Sequence, residues 1–146
     1  MYRWHVVLAM TLVAWACSPG SRLEQCPPVG TEFSGHISGG LSGRVRVVVP
    51  KAGHLTLFLQ PEAVGMQPSD PALELGGPVS CGHGVLRGRL SGITTSKGHR
   101  ILGTVIEGLY QPQLLPVELA LGWSADMVDP SGKRAKISGS LVGVQQ

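Results

Sequence analysis

The sequence predicts an all-β domain. It reads as a single small, strongly curved antiparallel meander, a barrel or a bent sandwich, with few or no helices after an N-terminal signal segment. Three observations carry this expectation. Apolar residues alternate with polar ones along several segments, the period-two pattern of strands with one buried face. No stretch of ten or more residues combines a helical apolar period with caps. A short pattern, apolar–any–Gly–any–apolar, recurs in four of the predicted strands.

The clearest element is a hairpin. Arg44-Val45-Arg46-Val47-Val48-Val49 is rich in β-branched residues, and Pro50-Lys51-Ala52-Gly53 is a turn by composition. His54-Leu55-Thr56-Leu57-Phe58-Leu59 then resumes with apolar residues at 55, 57 and 59. Two such runs joined by a short loop predict an antiparallel pair. Residues 60–80 break the alternation with Pro61, Pro68, Pro71 and Pro78 and with Gly65, Gly76 and Gly77. Proline is poorly placed in a central strand, so this stretch is expected to be a long loop with at most one helical turn near 62–66. Strand character returns at 85–90, 99–106, 116–124 and 135–144. Within the third of these, Val117, Leu119, Leu121 and Trp123 share one face. Asp129-Pro130-Ser131-Gly132-Lys133 reads as a turn.

The repeated pattern is Phe33-x-Gly35-x-Ile37, Leu86-x-Gly88-x-Leu90, Ile101-x-Gly103-x-Val105 and Ile137-x-Gly139-x-Leu141. In a strand the two apolar residues and the glycine lie on the same face. A glycine between core residues lets the strand coil sharply or another backbone come close. All four glycines are therefore expected to face the interior of curved strands.

The chain has 146 residues, a formal net charge of +3, 21 glycines and only 5% aromatics. Without residues 1–16 its length suits one domain large enough for a real core. The basic residues are dispersed. Their densest run, Lys133-Arg134-Ala135-Lys136, reads as a solvated turn and strand edge, so no nucleic-acid partner is expected. The sequence has no asparagine, hence no N-glycosylation acceptor; with its many Gly, Ala and Arg this points to a GC-rich bacterial genome.

The N-terminal residues predict export. Arg3 and His5 make a weakly basic start, and Val6 to Ala16 form an uncharged apolar run. That run is about eleven residues long, the length of a signal h-region and too short to span a bilayer. Val13-Ala14-Trp15-Ala16-Cys17 resembles the lipobox of bacterial lipoproteins, departing from it at Trp15, where a smaller residue is usual. The resemblance implies that Cys17 is acylated and becomes the membrane anchor. Ala14-x-Ala16 equally fits ordinary signal cleavage, which leaves Cys17 as a plain N-terminal cysteine. Acylation would account for the odd cysteine of an exported chain and leave Cys26 and Cys81 as a disulfide pair. The expected organisation is a signal peptide at 1–16, a lipid-anchored flexible tether at 17–25 around Ser18-Pro19-Gly20-Ser21, and a β-domain at 26–146. Ser18 after the cysteine favours the periplasmic side of the outer membrane.

No catalytic constellation is present. Gly-x-Ser-x-Gly does not occur, and the few acidic residues show no pairing by local spacing, so the chain is read as not an enzyme. Cys81-Gly82-His83, with His36, His54 and His99, offers soft ligands without the compact spacing of a metal site; no metal or cofactor is expected. Ala120-Leu121-Gly122-Trp123 and Ile137 to Gly143 resemble the last strands of avidin-type barrels. That resemblance implies barrel architecture only, because beyond the signal segment the chain keeps a single tryptophan, Trp123, where those barrels line a pocket with several aromatics.

The functional expectation is an exported envelope lipoprotein with a structural or protein-interaction role. The alternative is a small-ligand-binding, calycin-like β-barrel, secreted or anchored. The expected contact surface is the 60–80 loop with its apolar Val64, Met66, Leu73 and Leu75. Those residues either fold back over one end of the domain or face outward toward another envelope protein.

Overall fold

The computed structural model describes residues 26–61 and 72–146. Nine strands follow one another: β1 Glu32–Gly39, β2 Gly43–Val48, β3 His54–Pro61, β4 Leu73–Gly82, β5 Val85–Leu90, β6 Ile93–Thr94, β7 Arg100–Gln111, β8 Glu118–Val128 and β9 Arg134–Gln145. No helix occurs among the described residues. Every pairing is antiparallel, in the order β5-β4-β3-β2-β1-β9-β8-β7, and β5 pairs back onto β7 to close the ring. The two-residue β6 takes up β7 where β5 leaves off, Ile93 opposite Ile101. The result is a closed eight-stranded barrel, which leaves no long sheet edge unpaired.

Alternation places the core inside. Val45 and Val47 of β2, Leu55, Leu57 and Leu59 of β3, and Leu119, Leu121, Trp123 and Ala125 of β8 are all buried. Between them Arg44 and Arg46 point outward. The Arg46 guanidinium lies 4.4 Å from the centre of the Phe58 ring and pairs with Glu32 at 3.2 Å, covering an aromatic on the outer wall.

Three of the four repeat glycines stand on inward faces, Gly35 and Gly88 between buried residues and Gly139 between the partly buried Ile137 and the buried Leu141. A Cβ on Gly35 would collide with the Val142 carbonyl oxygen, one on Gly139 with the Ser38 carbonyl oxygen, and one on Gly88 would come within 2.6 Å of the Pro78 oxygen. A neighbouring backbone thus fills the place of each missing side chain, which lets the strands coil into a narrow barrel.

The fourth glycine departs from the expectation. Gly103 has φ +60°, and nothing lies within 4 Å of a Cβ built on it. Between the pairs Leu102–Asp126 and Val105–Ser124, β7 carries two residues and β8 only one, so Gly103-Thr104 form a β-bulge. The extra residue reverses the parity of β7. Ile101 points inward before the bulge; Thr104, Ile106 and Tyr110 point inward after it, and Val105 is turned out to 37% exposure.

The expected 60–80 loop is also corrected. β3 runs on to Pro61 and β4 starts at Leu73, so residues 73–80 are strand. Pro78 is accommodated where β4 changes partners. It is the last residue paired with β3, opposite His54, and the β4–β5 ladder begins only at Val79. Leu75 is 1% exposed in the core, and Leu73 packs against that core, so neither forms an outward patch or a lid. Val64 and Met66, like Cys17 and the 17–25 tether, lie outside the described residues.

Candidate functional site

The barrel interior is packed. Phe33 and Tyr110 meet edge to face at 6.1 Å and 83°. Tyr110 belongs to the buried core, and that burial raises its pKa. Leu41, from the short β1–β2 connection, is buried against the same cluster. A cavity of about 20 Å³ remains among Ile37, Leu41, Leu57, Leu75, Ile106 and Trp123. It suits about one water; small-molecule pockets usually run to roughly 300–1,000 Å³. Thr104 also lines it, and the Thr104 Oγ1 and Trp123 Nε1 are buried without a hydrogen-bond partner among the described residues.

The outer wall has a depression of about 270 Å³ beside the bulge, lined by Gly103, Val105, Ser124, Asp126, Lys136 and Ser138. Asp126 stands 4.0 Å from Arg134 there. An apolar row crosses the same wall in register: Leu109 of β7 faces Ala120 of β8, which faces Val142 of β9. Leu109 is 45% and Val142 46% exposed.

The histidines are dispersed. His36 is exposed on β1, and His54 opens β3. His83, at φ 55°, and Gly84, at φ 77°, form the two-residue turn between the paired Gly82 and Val85, the geometry of a type I′ hairpin. His99 precedes β7 at the other end of the barrel. Among the described residues, no three of His, Cys, Asp or Glu are grouped to hold a metal ion.

Cys26 and Cys81 form a disulfide across a separation of 55 residues, with Cα atoms 5.5 Å apart. It fixes where the chain joins the barrel. From Cys26 the segment runs to the start of β1, with Pro27 and Thr31 buried. The Thr31 N–H donates to the Pro28 carbonyl, with Gly30 at φ +86° in the third position of a type II turn. Val49 N–H donates to the Thr31 carbonyl, tying this turn to β2. The turn holds Val29 outward, 60% exposed.

Three connections share this disulfide end: 49–53, 83–84 and 112–117. The last reads Pro112-Gln113-Leu114-Leu115-Pro116-Val117, and it carries Leu114 at 38% and Leu115 at 96% exposure. With residues 26–31, these segments hold one formal charge, Lys51. The opposite end differs: Lys97, Arg100, Lys133, Arg134 and Lys136 are all exposed there. The sequence expectation puts an apolar contact surface between β3 and β4; exposed leucines among the described residues stand instead at 114 and 115, between prolines in an uncharged connection.

Comparison with known protein families, curated proteins and solved structures finds no match to this chain.

Proposed function

We propose that this chain is an exported bacterial envelope lipoprotein, held to a membrane by acylated Cys17 on the periplasmic side of the outer membrane. It acts as a structural or interaction module through its outer surface. The observation that carries this reading is the filled interior. Among the described residues, aliphatic side chains and the Phe33–Tyr110 pair occupy the barrel, and the cavity of about 20 Å³ between them has no room for a small organic ligand. That disfavours the small-ligand alternative. The signal-like residues 1–16 and the lipobox-like run ending in Cys17 support export and anchoring. The exposed row Leu109–Ala120–Val142 offers an uncharged surface for a protein contact.

The test is site-specific photo-crosslinking in intact cells, with the reactive group at position 109 or 142. The reading expects a reproducible adduct with another envelope protein at one of these positions. A barrel that gives no adduct and carries a stoichiometric organic ligand in native mass spectrometry would contradict it.

A further inference from the structure

The barrel's two ends differ in their described residues: the N-terminal residues 1–25 join the disulfide end, and residues 62–71, also outside the described residues, join the other. Residues 1–25 lead into Cys26, which the disulfide pins to the end of β4. Around that junction project Val29 at 60%, Leu114 at 38% and Leu115 at 96% exposure. Pro28, Pro50 and Ala52 are exposed on the same end, and the only formal charge in its connecting segments is Lys51. A leucine exposed to this degree, next to a second one in an uncharged loop, is costly in water. The basic residues Lys97, Arg100, Lys133, Arg134 and Lys136 lie at the other end together with Asp126 and Asp129, while Glu32 and Glu118 open strands at the disulfide end.

We propose that the disulfide end is a lipid-facing surface. It rests against the bilayer with Leu115, Leu114 and Val29 in the interfacial region, while the basic end points away. This rests on the anchoring reading for the presence of a membrane. The occupant follows from where the outer chain attaches. A tether of nine residues, 17–25, holds this end of the barrel close to any surface that Cys17 anchors. An apolar tip beside the anchor adds buried apolar area to whatever the acyl chains supply. Lys51 on the same end suits anionic headgroups.

The test uses the full chain with vesicles of phosphatidylethanolamine and phosphatidylglycerol, with and without brominated acyl chains. Tryptophan is introduced by Leu115→Trp, or by Ser131→Trp at the opposite end, and the wild-type emission is subtracted. The added emission at position 115 should move to shorter wavelength and be quenched about twofold or more by brominated lipid, as expected for a side chain at the acyl boundary. That at position 131 should be unaffected. Leu114→Ser with Leu115→Ser should weaken vesicle partition about tenfold or more in the Cys17→Ser background. Vesicle-bound protein with position 115 unquenched overturns the inference and leaves the anchor standing. Wild-type protein isolated from its envelope without acylation at Cys17, yet binding vesicles through this end, keeps the inference and overturns the anchor. A chain that fails to bind vesicles at all overturns both.

Discussion

Gly35 of β1 and Val142 of β9 approach so closely that the Val142 carbonyl oxygen occupies the place where a Cβ on Gly35 would stand. The contact lies on the seam that joins the first strand to the last, with Gly35 paired to Gly143. Any side chain at 35 must push backbone, which cannot rotate away. Gly35→Ala should therefore destabilise the barrel by about 1–3 kcal/mol. Gly82→Ala is the control: nothing lies within 4 Å of its Cβ position, and its φ is not positive. Denaturant unfolding of the two variants should show a clear loss for the first and a change within about 0.5 kcal/mol for the second.

Leu75 and Leu115 should behave in opposite ways. Leu75 is 1% exposed inside the barrel, so Leu75→Ala removes core contacts and should cost about 2–5 kcal/mol. Leu115 is 96% exposed, so Leu115→Ala should change stability by less than about 0.5 kcal/mol. Equal losses would mean that the β7–β8 connection is packed in solution.

The disulfide closes a long loop. For the 55-residue separation between Cys26 and Cys81, chain-entropy arguments give a stabilisation of about 4 kcal/mol. Cys26→Ala with Cys81→Ala should lower the unfolding free energy by an amount of this order, with the strand content unchanged by circular dichroism. Loss of all β signal under native conditions would instead make the bridge a condition of folding.

The β8–β9 turn should register acid. The Asp129 carboxylate accepts from the Ser131 hydroxyl at 2.6 Å and from the backbone N–H groups of Lys133 at 2.8 Å and Ser131 at 2.9 Å. These bonds, the Ser131 hydroxyl foremost, hold its pKa below the ordinary value of 3.8, and nearby His99 acts in the same direction. A folded-state pKa below the unfolded one means that the stabilisation is complete above the unfolded value and disappears as pH falls through the folded value. The stability gap between wild type and Asp129→Asn should therefore be constant above about pH 5 and close progressively below about pH 4. A gap that is unchanged down to pH 2 would contradict this role for the turn.

What could be read from the chain and what could not have physical reasons. The β2–β3 hairpin was legible because its inward Val45, Val47, Leu55, Leu57 and Leu59 recur at every second position, and the inward face of β8 was legible for the same reason. Gly35, Gly88 and Gly139 were legible because an inward glycine between core residues has few other uses. Gly103 follows the same local pattern yet forms a bulge, and a bulge is defined by register with β8, which no single strand encodes. β4 was hidden because Gly76-Gly77-Pro78 reads as a breaker. That proline is tolerated only because β4 changes partners there, a fact of topology. Leu114 and Leu115 were visible as residues, but their exposure depends on where the barrel closes.

The most direct test of the account is the intact mass of the protein isolated from its own envelope. The account predicts a membrane-fraction chain that begins at Cys17 and carries a thioether-linked diacylglycerol. An unmodified N-terminal Cys17 on a freely soluble protein would contradict it.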